Sequence, residues 1–288
     1  MATTIKQSFL GFKSNLEITG LQQQTVSTRQ QNVRDAVAVD MTVLDSFLTG
    51  SYRRSTMIAP LSDADIDVFV VMDSAYFQQG GQAALLDKVK AALKKEYPKT
   101  PKISRNGQAV TITFSDFVVD VVPAFFRQGG GFLIPDSINA RWISTDPKKH
   151  VEIWSTANSN HGGNLVPLIK MVKAWNRQHS SLLRSFHLET MILGILTNVT
   201  INDFSSGTRY VFDKARQAVK SATYDPSGYG GNLADYLNTQ QKIDDVVSRL
   251  ETAYTRAIDA ESLEKQGKTS SAVDKWRLIF GDYFPAYG

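Results

Sequence analysis

The chain has 288 residues, 42% of them hydrophobic and 21% charged, which excludes disorder as the main state and is enough for one large domain or two ordinary ones. It has no cysteine, which excludes disulfides, thiolate metal sites and thiol nucleophiles. The net charge of +4 is compatible with phosphate-bearing ligands without requiring them.

The elements follow in chain order. Residues 1–40 read as helical, with Val26, Val33 and Val37 at helical spacing. Leu44–Thr49 is a short strand ended by Gly50-Ser51, and Tyr52–Ile58 begins a helix. Asp65–Met72, written DIDVFVVM, is the clearest strand: β-branched, aromatic and strongly apolar. Gly81–Tyr97 is an amphipathic helix with Leu85, Leu86, Val89 and Leu93 on one face, closed by Pro98. Asn106-Gly107 between Lys102–Arg105 and Ala109–Phe114 signals a hairpin with both turn residues at positive φ. Phe117–Phe126 is a further strand whose pairing ends at Pro123. Gly129-Gly130-Gly131 lacks a strand–helix setting and reads as a plain loop.

From about residue 145 the texture is helical, with Leu165–Trp175, Phe186–Leu196, Ile243–Leu263 and Ser270–Phe280 as the helices. The fold class is therefore α+β, a mixed front half (1–145) and an all-helical back half (146–288). No apolar run approaches the ~20 residues of a spanning helix, and the N-terminus lacks a secretory layout; a cytoplasmic protein is expected. The four histidines, His150, His161, His179 and His187, include no pair at helical metal-binding spacing. Asn198-Val-Thr200 matches a glycosylation sequon by chance.

Three carboxylates stand out. Asp65 and Asp67, two apart on the best strand, point to one face, while Ile66 and Val68 point to the other. Asp120 lies inside another apolar strand, Phe-Val-Val-Asp-Val-Val. If these strands are neighbours, three like charges converge and raise one another's pKa values. A divalent cation removes that problem, and carboxylates about 6–7 Å apart along a strand can bracket two metals ~3.5–4 Å apart. Asp63 shares the i+2 spacing, but the apolar run starts at Asp65. Gly50-Ser51, closing a strand and opening a helix, offers backbone N–H groups and a hydroxyl suited to a triphosphate.

Gly50-Ser51, then Asp65-Ile-Asp67, then Asp120 on a later strand resembles the DNA polymerase β-like nucleotidyltransferase superfamily. Gly50-Ser-Tyr-Arg-Arg54-Ser-Thr56, Val119-Asp-Val-Val-Pro-Ala124, Leu168–Asn176, Ser185-Phe-His-Leu-Glu189 and the tail Trp276–Pro285 narrow the resemblance to the bacterial cGAS/DncV-like nucleotidyltransferases, the CD-NTases of anti-phage signalling. It runs from about residue 5 to 285. It implies a polymerase β-like nucleotidyltransferase core, a mixed sheet with N-terminal helices, plus a helical oligoadenylate-synthase-like domain, bilobed with a central cleft. It also implies synthesis of a cyclic di- or trinucleotide second messenger from ribonucleoside triphosphates.

By the same resemblance, Asp65 and Asp67 bind two Mg²⁺ ions, with Mn²⁺ as a substitute. Asp120 binds one of them and helps activate the attacking hydroxyl. Gly50 and Ser51 hold the donor triphosphate, Lys173 and Ser185 reach the phosphates, and Phe186 stacks on a base. Arg54 lies in the same motif and either touches ligand or pairs within the protein. Phe186 can equally be core, and Lys170 a solvated helix edge. A downstream effector acts through the product. Activation by nucleic acid through a zinc element is not implied, because that element needs cysteines. The terminal Gly288 permits a conjugating or regulatory partner. Rival readings are nucleotidyl transfer to RNA, a protein or an antibiotic, and a catalytically silent nucleotide- or RNA-binding sensor.

Overall fold

The computed structural model describes residues 3–100 and 102–288. They form two compact units, Ile18–Glu152 and a second one joining the residues up to Glu17 with Ile153–Gly288. The elements are α1 (Ile5–Asn15), α2 (Gly20–Ala38), β1 (Val43–Leu48), α3 (Gly50–Arg53), β2 (Asp65–Met72), α4 (Gln82–Glu96), β3 (Lys102–Asn106), β4 (Ala109–Thr113), β5 (Val118–Phe126), β6 (Phe132–Asp136), β7 (Arg141–Thr145), α5 (Pro147–Asn160), α6 (Leu165–Gln178), α7 (Ser185–Ile195), α8 (Phe204–Ala218), α9 (Gln240–Lys265) and α10 (Thr269–Phe280).

The sheet of the first unit has the order β1-β2-β5-β4-β3, with β6 on β5 and β7 on β6. β2 and β5 run parallel and the other pairs antiparallel. A central parallel pair must be covered on both faces, and the alternation along β2 does this. Ile66, Val68, Val70 and Met72 pack with Val119 and Val121 under Val33 and Val37 of α2 and Leu86, Val89 and Leu93 of α4. Phe69 and Val71 pack on the opposite face with Val122, Ala124, Phe132 and Ile134. The polar positions of that second face, Asp65, Asp67 and Asp120, lie at one end of it.

Two expectations for the sheet change. The hairpin turn is Gly107-Gln108, because Asn106 pairs with Ala109 and only Gly107, at φ +56°, is in the left-handed region; one glycine suffices for a turn of the II′ kind. Pairing does not stop at Pro123, which stays in register with Val70 of β2. β4 partners end at Val121 and β6 partners begin at Phe125, so no antiparallel ladder bond is lost at the proline. The hairpin β6–β7 has no counterpart in the sequence reading. Gly129–Gly131 is a loop, with φ of +86°, +99° and +69°.

The second unit is helical. Phe9 and Phe12 of α1 meet Trp276, Phe280 and Phe284, with ring centroids 4.9 Å apart for Phe9–Trp276 and 4.6 Å for Phe12–Phe280. All five rings are buried. This aromatic stripe is why α1 packs with the helices of the back half, although the sequence reading grouped it with the sheet.

Candidate active site

β2 opens on Asp65, and its parallel register with β5 sets Asp67 directly beside Asp120 and Asp65 beside Val118. Neighbouring strands lie about 4.8 Å apart, so the two carboxylates at 67 and 120 are side-by-side neighbours and Asp65 is one pleat away on the same face. Asp120 also stands opposite Thr111 of β4, whose hydroxyl donates to its Oδ1 at 2.6 Å. Burial raises the Asp120 carboxyl above the ordinary aspartate range; the Thr111 hydrogen bond opposes this and the Asp65 charge adds to it. Asp65 is exposed at the strand start, but partial desolvation of its carboxyl raises it as well. Asp63, the rival in spacing, lies in a single 3-10 turn before the strand.

The Gly50-Ser51 turn is tied to this strand. The Thr49 N–H donates to the Asp67 carbonyl at 2.9 Å. Gly50 has φ +63°, and a Cβ there would sit 1.7 Å from Oδ2 of Asp67. Glycine is needed twice over: for the left-handed backbone and to make room for the carboxylate. The helix that follows is shorter than expected. α3 ends at Arg53 because Thr56 and Met57 both donate to the Ser51 carbonyl, at 2.9 and 3.1 Å, and Ser55 takes φ +60°. Its first-turn N–H groups lack helical acceptors, as at any helix start. Arg54, at its C-cap, is buried.

In the helical unit, Lys173 of α6 is 7% exposed and Glu189 of α7 fully buried. The Lys173 ammonium donates to Oε1 of Glu189 at 2.7 Å. Asn176 pins the α6–α7 connection, donating to the Leu183 carbonyl at 2.7 Å and accepting from its N–H at 3.1 Å. Ser185 starts α7 and is exposed. Phe186 is half-buried and stacks on Trp154, with centroids 5.8 Å apart and planes 27° apart. Lys170 is not a solvated edge: it is buried and donates to Glu17 at 2.7 Å.

The sequence-predicted residues thus fall into two groups. Asp65, Asp67, Asp120, Gly50 and Ser51 come together in the sheet unit, and Lys173, Ser185 and Phe186 lie on α6 and α7. Sequence reading missed Thr111, Glu189 and Trp154. A lone glutamate in the apolar run of α7 was the available signal for Glu189; the other two carried none. Among the described residues no group of three or more acidic or histidine side chains makes a ready-built metal cage. The donor set nevertheless suits a hard divalent cation: carboxylate oxygens only, with two of the carboxyls raised in pKa, and one of the three seated where a glycine leaves it space.

Among the described residues, no helix is long and apolar enough to cross a membrane.

A family model for the Second Messenger Oligonucleotide or Dinucleotide Synthetase domain matches residues 3–158. A probable cyclic nucleotide synthase of Bacillus cereus is 29% identical over 275 residues, covering 83% of this chain and 81% of that one. A cyclic AMP-AMP-AMP synthase of Acinetobacter is 26% identical over 302 residues, covering 98% and 86%. The Vibrio cholerae DncV cyclic AMP-GMP synthase, solved with a linear intermediate, superposes with a TM-score of 0.80 at 16% identity over 99% and 98% of the two chains, so the expected fold, a nucleotidyltransferase core with a helical C-terminal region, is the observed one. The chain belongs to the Second Messenger Oligonucleotide or Dinucleotide Synthetase family and is a nucleotidyltransferase of the bacterial cGAS/DncV-like class.

Proposed function

We propose that this protein joins ribonucleoside triphosphates into a cyclic di- or trinucleotide second messenger, releasing pyrophosphate, in bacterial anti-phage signalling. The carrying observation is the register that places Asp67 beside Asp120, with Asp65 one pleat away and the Gly50-Ser51 turn hydrogen-bonded to the same strand. Such a cluster of carboxylates, two of them with raised pKa, is the signature of a site built for cations and phosphate rather than for packing.

Asp65, Asp67 and Asp120 would hold the metal. When bound, two Mg²⁺ ions, or Mn²⁺ in their place, supply charge neutralisation for the triphosphate and acidify the acceptor's ribose hydroxyl. The chain's own groups do the rest. The N–H groups of the Gly50-Ser51 turn and the Ser51 hydroxyl take donor phosphate oxygens. Asp120 accepts the proton of the attacking hydroxyl as that oxygen bonds to the α-phosphorus and the bond to the bridging oxygen breaks. Pyrophosphate leaves, and a second such transfer closes the ring. Lys173, oriented by Glu189, and Ser185 meet phosphate oxygens, and Phe186, backed by Trp154, stacks on a base. Most of the acceleration comes from positioning and charge neutralisation.

The test is incubation with all four ribonucleoside triphosphates and Mg²⁺, beside the Asp65→Ala/Asp67→Ala variant, with phosphatase-resistant products read by mass spectrometry. A cyclic product that requires the aspartates is expected. Linear tailed RNA or labelled protein from a lysate would replace this reading with transfer to a macromolecule. A triphosphate that binds and stays unchanged would replace it with a silent sensor.

A further inference from the structure

α7 carries the proposed phosphate and base contacts on its first two residues, Ser185 and Phe186, yet Arg184 at its N-cap makes no side-chain capping bond. The start of this helix is held from elsewhere in the chain. Tyr236, in the segment between α8 and α9, accepts from the Arg184 backbone N–H at 2.9 Å. The same hydroxyl lies 2.8 Å from Nδ1 of His187. A phenol oxygen can accept from two donors, or accept from one and donate once, so the hydroxyl bonds Nδ1 in either tautomer of His187.

His187 is 1% exposed. Burial first, and the nearby Arg184 charge second, push its pKa down to about 4, so the ring is neutral at pH 7, with Nε2 as the nitrogen away from Tyr236. That nitrogen is buried and has no hydrogen-bond partner. The imidazole is therefore held through Nδ1, by Tyr236. The Tyr236 ring adds two contacts: the Arg184 guanidinium carbon lies 4.4 Å from its centroid, and the His187 ring meets it edge-on at 5.6 Å. Arg184 is also paired with Asp235 at 3.3 Å. The segment itself is ordered by a bridge between Tyr224 and Asn232 and by Asp225 accepting from the Ser227 N–H at 2.8 Å.

One hydroxyl thus grips the residues on either side of Ser185-Phe186. Fixing the backbone at 184 and the side chain at 187 sets both where the helix starts and how its first turn is rotated, and Phe186 has little freedom left between Tyr236's clip and the Trp154 ring. We propose that Tyr236 is a positioning residue for nucleotide binding: its hydroxyl locks the first turn of α7 so that Ser185 and Phe186 meet the triphosphate and base already aligned. The claim rests on the reading of Ser185 and Phe186 as nucleotide contacts.

The test compares wild type with Tyr236→Phe, Phe186→Ala, the double variant and His187→Leu. Each is measured for the Kd of an unhydrolysable ATP analogue and for KM and kcat in product formation. Tyr236→Phe keeps both ring contacts and removes only the hydroxyl. Expected is a rise of about tenfold in Kd and KM with kcat within about twofold, the loss that a misaligned binding group causes. His187→Leu, which deletes the other end of the bridge and fills the space, should reproduce it and carries the test if Tyr236→Phe does not fold. The double variant should bind more weakly than Phe186→Ala alone by clearly less than the Tyr236→Phe effect in wild type, because part of the hydroxyl's effect runs through Phe186. Unchanged Kd and KM in Tyr236→Phe, or effects that simply add in the double variant, would overturn the proposal and leave Tyr236 a structural tyrosine. A wild type that binds the analogue but makes no product would sink the synthase reading alone. A wild type that binds no analogue would sink both.

Discussion

The two units carry charge in apolar surroundings and resolve it in opposite ways. In the helical unit, Lys173 and Glu189 are both buried and neutralise each other at 2.7 Å. In the sheet unit, Asp120 is opposed by a hydroxyl and by the repulsion of Asp65 rather than by a cation, and among the described residues no Lys or Arg forms an ion pair with Asp65 or Asp120. A closed pair ties α6 to α7. An open cluster of like charge asks for a cation from outside the chain. A carboxylate therefore has different consequences in the two units, and substitution separates them.

The largest effect is expected at the open cluster. Asp67→Asn or Asp120→Asn should lower product formation by about 10³-fold or more, as for loss of a group essential to metal-assisted transfer. In Asp120→Asn the apo protein's melting temperature should hold or rise, because a charge repelled by Asp65 has been removed. A large fall in melting temperature would place these aspartates among the structural residues.

The closed pair should behave in reverse. Glu189→Leu removes the carboxylate to which a buried ammonium donates and should cost about 3–5 kcal/mol of stability in denaturant unfolding. Adding Lys173→Met should recover most of that stability while activity stays low. Recovery of activity as well would remove Lys173 from the phosphate contacts.

A smaller effect is expected where the turn meets the cluster. Gly50→Ala puts a Cβ into the Asp67 carboxylate at a φ of +63°. It should cost about 1–2 kcal/mol in backbone strain, and about 10²-fold in activity by displacing a reacting group. Wild-type activity in this variant would show that the close approach of Gly50 and Asp67 is incidental.

The smallest is a pH effect. The folded-state pKa of Asp120 lies above its ordinary 3.8. Below 3.8 the carboxyl is protonated in both states and makes no difference. As pH rises from there through the raised value, the folded state alone still holds the proton, so stability falls, and the full cost remains at neutral pH. Asp120→Asn should therefore match wild type in acid and exceed it in stability at pH 7. Divalent-cation affinity should weaken, as pH falls, sooner than at ordinary carboxylates. Parallel stability curves for the two proteins would contradict the raised pKa.

How much of this was legible depended on contact range. β2 begins at Asp65 as read, because period-two alternation is local and DIDVFVVM shows it without help from neighbours. The Gly50 turn was visible from residue types, but the early end of α3 was not, since it depends on the Ser51 carbonyl taking two later N–H groups. The β6–β7 hairpin, through Pro135 and a turn over residues 137–140, breaks both periodicities and left no pattern to read. α1 was seen as a helix, but its partners, Trp276, Phe280 and Phe284, lie far along the chain. The charged positions were legible as anomalies and not as partnerships. Nothing local decides between a solvated edge and a partnered ammonium for Lys170, because Glu17 is distant in sequence, and the motif around Glu189 does not show its bond to Lys173.

The most direct measurement is a count of Mn²⁺ ions bound per chain in the presence of an unhydrolysable ATP analogue, by electron paramagnetic resonance, for wild type and Asp67→Asn. Two ions in the wild type and a loss of binding in the variant are expected if the aspartates are an open cluster built for cations. An equal count in both proteins would contradict it, and would place the carboxylates outside the nucleotide chemistry.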